Sequence, residues 1–258
     1  MPLINKNKTN KFSQLQSGLS LREVLILIAF VCLLIALLLP AFQIPRTLAR
    51  RILCGNHIKY QLLAIDLYAA ENNDRLPIPL DSNNLNEISE QTSQVLLQYI
   101  STDNRFPDKS MSSLNTFYCP SNSPQQKYKE KFWNSSEENR SIGYYYLIDT
   151  KNGRPKIKGS GDKRWLKRGV MPAERESELI VDIVASDVIN YKLPGFPLGN
   201  FEKIQSRILG AGSFESTSHL DNSKKPQGGN IGFHDGHVEW RPFSDMDKRY
   251  GDNPVCWW

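Results

Sequence analysis

Two histidines frame an Asp-Gly pair in NIGFHDGHVEWR, residues 230–241, and another histidine precedes them at position 219. Imidazoles and carboxylates that converge can hold a metal ion, which makes His219, His234, Asp235 and His237 the first candidate ligands. Asp235-Gly236 between alternating apolar residues predicts a β-hairpin with a two-residue type I′ turn. That pairing sets Phe233 opposite Val238 and Ile231 opposite Trp240 on a core face, with His234 opposite His237 on the other. Histidines paired across adjacent strands stand about 5 Å apart at Cβ, near enough to share an ion. Against this, an Asp-Gly turn uses its own aspartate, and the chain carries no H-E-x-x-H or other spaced catalytic set. The favoured reading is a structural hairpin without an ion. Zinc, and calcium held by aspartates and backbone carbonyls, are the alternatives.

Other catalytic templates are missing. There is no G-x-S-x-G elbow, no G-x-x-x-x-G-K-[ST] loop and no dinucleotide fingerprint after a strand. Ser186-Asp187 and the glycines of GAGS at 210–213 read as ordinary loop or strand-end residues. No enzyme is predicted.

The elements that must position these residues begin with VLILIAFVCLLIALLL, residues 24–39, which has neither charge nor proline. At 1.5 Å per residue the run makes about 24 Å of helix. Leu19 to Leu21 and Ala41 to Phe42 extend it, so a transmembrane helix is predicted over 19–42. A cleaved signal peptide fits less well, because P-A-F-Q-I-P follows with no small-x-small pair, and Cys32 lies too deep in the run for a lipoprotein signal. Lys6, Lys8, Lys11 and Arg22 precede the span with no acid before Glu23, which places a leader, residues 1–18, in the cytoplasm. Arg22 can snorkel to the interface. Glu23 is shorter and one residue deeper, and an ionised group inside hydrocarbon costs about 2.5–3.5 kcal/mol.

Beyond the span, Ile58, Leu62, Ile65 and Ala69 form an apolar stripe at helical spacing, predicting that the helix continues over 43–75 on a globular head. Pro40 and Pro45 should bend or loosen it, and Asn72-Asn73-Asp74 with Pro77 and Pro79 should end it. In the head, residues 76–258, Leu85, Ile88, Val95, Leu96 and Ile100 suggest a second helix, and strands are predicted at 117–119, 141–148 and 179–187. Helix first and strands later implies an α+β fold with an antiparallel sheet packed against the long N-terminal helix. A chain of 258 residues, 40% of them hydrophobic, can build one such core. The net charge of +5 does not by itself imply nucleic acid. Residues 151–168 gather eight basic residues and one acid around Trp165. They read as a solvated loop or as a patch for an acidic surface, such as envelope polysaccharide, anionic lipid or DNA.

GLSLRE at 18–23, followed by an apolar helix and Pro40, resembles the class III signal of type IV prepilins and type II secretion pseudopilins. The resemblance implies cleavage by a prepilin peptidase between Gly18 and Leu19, methylation of the new N terminus, and Glu23 as the fifth residue of the mature chain. It further implies that Glu23 pairs with the N-terminal amine of a neighbouring subunit. The other reading of Glu23 is a carboxylate at the membrane surface in water. ARRILCGNHIKYQLLAIDLYAAENN, 49–73, is similar to the helix of a large bacterial pilin-like group reading roughly R-x-x-x-C-x-N-x-L-K-Q-I, with Cys54, Asn56, Lys59 and Gln61 on or next to the pattern. His219, Gly229, Asn230, Phe233, Asp235, Gly236, His237 and Val238 resemble that group's C-terminal signature, a histidine followed at a distance by a D-G-H-V strand turn, in a domain of unknown function.

The same resemblance implies an inner-membrane protein with a single pass, its head periplasmic or extracellular, in contact with copies of itself or other pilin-like subunits. It also implies a disulfide between Cys54 and Cys119 of F-Y-C-P-S, which by loop entropy would contribute about 4 kcal/mol. Cys32 lies in lipid, and Cys256 would be left free or linked to another chain. Three functions follow: a pilin-like subunit of a pilus or secretion pseudopilus, a membrane-anchored binding module that never polymerises, and an exported metal-dependent hydrolase built on the histidine hairpin.

Overall fold

The computed structural model describes residues 20–41, 43–77, 85–102, 114–134, 137–148, 177–186, 201, 217–250 and 255–258. Gly18, Leu19, the leader and the basic stretch 151–168 lie outside the described residues. The chain divides into two units, Met1–Arg46 and Thr47–Trp258.

The first unit holds α1, Leu21–Ala41. By length and composition Leu21–Leu38 can cross a membrane, and none of these eighteen residues is buried among the described residues. Its start is set by Ser20 and Glu23. Ser20 N–H donates to Glu23 Oε2 at 2.7 Å and Glu23 N–H to Ser20 Oγ at 3.4 Å, a reciprocal capping box. Pro40 is accommodated one residue from the helix end, and α2, Gln43–Glu71, takes Pro45 in its first turn, where a missing N–H costs nothing. Phe42, between these two helices, lies outside the described residues.

From Thr47 onward α2 belongs to the second unit. Cys54, Ile58, Leu62, Ile65 and Ala69 are all buried, as the stripe predicts. Each fully buried aliphatic side chain of this size contributes roughly 1.5–3 kcal/mol. Asn73 and Asp74 adopt left-handed φ of 56° and 57°, and Asp74 N–H returns to Ala69 O at 2.9 Å, which closes the helix.

The head is α+β with antiparallel sheets. After β1, Glu87–Ser89, come α3, Glu90–Thr102, a 3-10 turn at Leu114–Phe117, and α4, Ser123–Trp133. The strands β2, Asn139–Ser141, β3, Tyr144–Tyr146, β4, Glu178–Asp182, and β5, Ala185–Ser186, follow. The chain closes with β6, Gly228–Phe233, β7, Val238–Pro242, β8, Lys248–Tyr250, and β9, Val255–Trp257. The main sheet is ordered β3-β4-β6-β7, with β1-β2 and β5-β9-β8 as smaller sheets. Helix α2 lies on β6 at Gly232, where a Cβ would fall 2.5 Å from Ile58 Cγ2 and 2.8 Å from Leu62 Cδ1. Only glycine allows so close an approach.

Three expectations are corrected. Leu85 and Ile88 do not belong to the second helix, which starts at Glu90 and takes only Val95, Leu96 and Ile100. The predicted strand 117–119 does not form: Phe117 ends the 3-10 turn, and the run is too short to overcome the local turn that carries Cys119 into Asn122, the cap of α4. The hairpin register is shifted by one: Gly232 pairs with Val238, Ile231 with Glu239 and Asn230 with Trp240. Gly236 N–H bonds Phe233 O and Phe233 N–H bonds His237 O, each at 3.0 Å, and Gly236 has φ 86°. The loop is therefore a three-residue turn with a glycine bulge rather than a two-residue type I′ turn. One residue of slip exchanges faces, so Val238 and Trp240 share the side of Gly232, against α2, while Ile231 and Phe233 are buried on the other.

Candidate metal centre or dithiol site

Four side chains from four separate segments meet under the main sheet. Cys54 comes from α2, Cys119 from the turn before α4, Asp182 from the last position of β4, and His219 from the bend that leads to β6. All four are buried, and their ligand atoms lie within 4.8 Å of one another. Cys54 Sγ stands 2.7 Å from Cys119 Sγ and 2.9 Å from Asp182 Oδ1. His219 Nε2 stands 3.0 Å from Asp182 Oδ2 and 3.5 Å from Cys119 Sγ. Both cysteines are free thiols here.

A surrounding layer fixes these groups. Asn230 donates its backbone N–H and its side-chain amide to Asp182 Oδ2 at 2.7 and 2.8 Å. Ser121 Oγ touches Cys119 Sγ at 2.9 Å and accepts the backbone N–H of His219 at 3.1 Å. Tyr144 Oη lies 3.4 Å from Cys54 Sγ. The ring of His219 meets the edge of Trp240 at 5.0 Å, and Arg51 stacks over that indole at 3.8 Å. His219 has φ 54°, in the left-handed region. That conformation costs a non-glycine residue on the order of 1–2 kcal/mol and persists where the surroundings impose it.

Charge is distributed unevenly in the cluster. Burial pushes the Cys119 thiol up, but the hydrogen bond from Cys54 and the charge on His219 outweigh it and bring it down to about 6. Burial disfavours charged His219, yet Cys119 and Asp182 raise it to about 10. Burial alone would raise Asp182, but His219 and the hydrogen bonds of Cys54 and Asn230 hold it below the usual carboxylate range. Cys54 is raised well above an ordinary thiol, first by burial and then by its anionic neighbours. Two thiols, an imidazole and a carboxylate at these distances form a donor set for a divalent metal, and the two thiols alone form a pair that oxidation could join.

The metal ligands considered from sequence separate. His219 enters the cluster, whereas His234, Asp235 and His237 stay on the hairpin turn, and His237 is exposed. His237 Nδ1 bonds Asp235, and its ring stacks on Phe233 at 4.2 Å. The glycine bulge turns the two histidines out of cross-strand pairing, so the hairpin does not present them as a pair. Cys54 and Cys119, for which the resemblance implied a disulfide, stand 2.7 Å apart as free thiols. Asp182 was missed, although a lone carboxylate in the apolar run LIVDIVA, 179–185, is a local signal of a buried charge with a partner. Cys256 is buried and points its sulfur to Tyr145 Oη at 3.4 Å, which removes it from linkage to another chain in this fold. Gln61 of the helix pattern is fully buried. It donates to His57 O and Thr116 O and accepts from Tyr146 Oη at 2.6 Å.

Comparison with known proteins returns no matching family model, curated protein or solved structure.

Proposed function

We propose that the chain is a pilin-like membrane subunit, inserted by α1 and processed after Gly18, whose head stands outside the cytoplasm and whose N-terminal helix assembles with copies of itself or with related subunits. The observation that supports this most is α1 itself: an apolar helix with none of Leu21–Leu38 buried and an acid in its first turn, next in sequence to a helix whose buried stripe covers an antiparallel sheet. In this reading Glu23 meets the N-terminal amine of a neighbour, the basic flank of the leader holds the N terminus in the cytoplasm, and the inner membrane is the site of insertion. The role is structural rather than enzymatic.

The Ser20–Glu23 capping box favours a second reading, a membrane-anchored module that does not polymerise. The carboxylate of Glu23 already accepts a backbone N–H of its own chain and so has less need of a neighbour. Mass spectrometry of the N-terminal peptide from membrane-extracted protein tests processing. A chain beginning at N-methylated Leu19 supports the subunit, and an intact Met1 overturns it. Crosslinking between helices that disappears in Glu23→Ala then separates assembly from anchoring.

A further inference from the structure

We infer that Cys54, Cys119, Asp182 and His219 bind one zinc ion as a closed structural site rather than serving as a plain disulfide beside an ion pair. The observation is convergence. A disulfide needs only the two sulfurs, and it leaves unexplained why Asp182 Oδ1 stands 2.9 Å from one sulfur and His219 Nε2 3.5 Å from the other. Around tetrahedral zinc, with Zn–S about 2.3 Å and Zn–N or Zn–O about 2.0–2.1 Å, ligand atoms stand about 3.3–3.8 Å from one another. The contacts between His219 and Cys119 and between His219 and Asp182, 3.5 and 3.0 Å, are already close to this. The two sulfurs, 2.7 Å apart, need to open by about 1 Å to reach the zinc edge.

Donor chemistry selects the metal. Two thiolates with an imidazole suit zinc and disfavour calcium or magnesium, which take oxygen ligands. All four ligands are buried side chains, so no position is open for water or substrate, and the site is structural. The surrounding groups fit the same role. Asn230 orients Asp182 through two hydrogen bonds, Ser121 reaches both the Cys119 sulfur and the backbone of His219, and Trp240 packs perpendicular to the imidazole at 5.0 Å. Each ligand comes from a different segment, so one ion ties α2, the turn before α4, the end of β4 and the approach to β6 together. The inference stands whether or not the chain assembles through Glu23.

The test uses the full chain, extracted in mild detergent and purified without chelator. Elemental analysis is expected to find a single zinc ion per chain, lost in Asp182→Asn and in His219→Ala but retained when His234→Ala and His237→Ala are combined. Cobalt exchanged into the wild-type chain is expected to show thiolate-to-cobalt charge-transfer bands and the visible bands of a tetrahedral ion, a readout that does not depend on any variant folding. A metal-free chain overturns the inference, whether its intact mass is lighter by two hydrogens, as a disulfide requires, or unchanged. Zinc that survives both Asp182→Asn and His219→Ala, or bound cobalt without thiolate bands, overturns it equally.

Discussion

Replacing Gly232 with alanine tests how α2 sits on the sheet. The new methyl would be 2.5 Å from Ile58 Cγ2, 2.8 Å from Leu62 Cδ1 and 3.3 Å from Ile180 O. Carbon atoms pack best at about 3.5–4.0 Å, so the helix or its side chains must withdraw by about 1 Å. Overpacking of this kind costs about 1–3 kcal/mol. Ile58→Ala alone removes the closer of the two clashing methyls, leaving Leu62 Cδ1 at 2.8 Å, and costs about 2–5 kcal/mol through lost burial and a cavity. In the double variant the alanine at 232 occupies part of that cavity, so the two costs should fall short of their sum by about 1–2 kcal/mol. Thermal unfolding of the full chain in detergent reads this, since about 1 kcal/mol moves Tm by about 2–4 °C in a domain of this size. Gly232→Ala should therefore lower Tm by several degrees in the wild-type background and by less with Ile58→Ala, where only the Leu62 contact remains to be relieved. Costs that add within about 0.5 kcal/mol would refute the placement of α2 on β6.

Gln61→Leu keeps side-chain volume but breaks the bonds to His57 O, Thr116 O and Tyr146 Oη, and should cost about 1–3 kcal/mol in the same melt, with part of the loss absent when Tyr146→Phe is already present. Gly236→Ala meets no atom within 4 Å, so its cost should be that of φ 86° alone, about 1 kcal/mol, with Gly236→Asn costing less. Burial pushes the Cys256 thiol up to about 12, with the hydrogen bond to Tyr145 pulling only weakly the other way. Because the thiolate is the reactive form, Cys256 should resist alkylation near neutral pH in the folded chain and react on denaturation, as peptide mapping would show.

Structure is legible in the sequence where one element carries its own signal. The stripe from Ile58 to Ala69 buries because period alone decides which side of a helix faces the core. Ser20-x-x-Glu23 is just as local a signal, a capping box four residues wide that gives Glu23 a partner within its own chain. The hairpin was located by Asp-Gly but its register was not, because the same pair serves a two-residue turn and a three-residue turn with a bulge, which differ by one residue of slip. The cluster was the least legible part. His219 and the two cysteines each drew attention for other reasons, and Asp182 drew none; only the order β3-β4-β6-β7 carries the end of β4 beneath α2 and beside the segment of His219. Such convergence belongs to topology rather than to spacing.

The position of these ties along α2 has a mechanical consequence. Ahead of the apolar stripe that begins at Ile58, the helix is attached in the head at Arg51, whose carbonyl accepts from Asn230 and whose guanidinium lies on Trp240, and at Cys54 in the cluster. Any tension entering the head from its N-terminal end loads these polar, short-range contacts before it reaches the broad apolar seam. Such bonds yield over a shorter distance than a sliding hydrophobic contact, so the head would resist small extensions stiffly and then give way from this end, with residues 51–54 as its mechanical fuse.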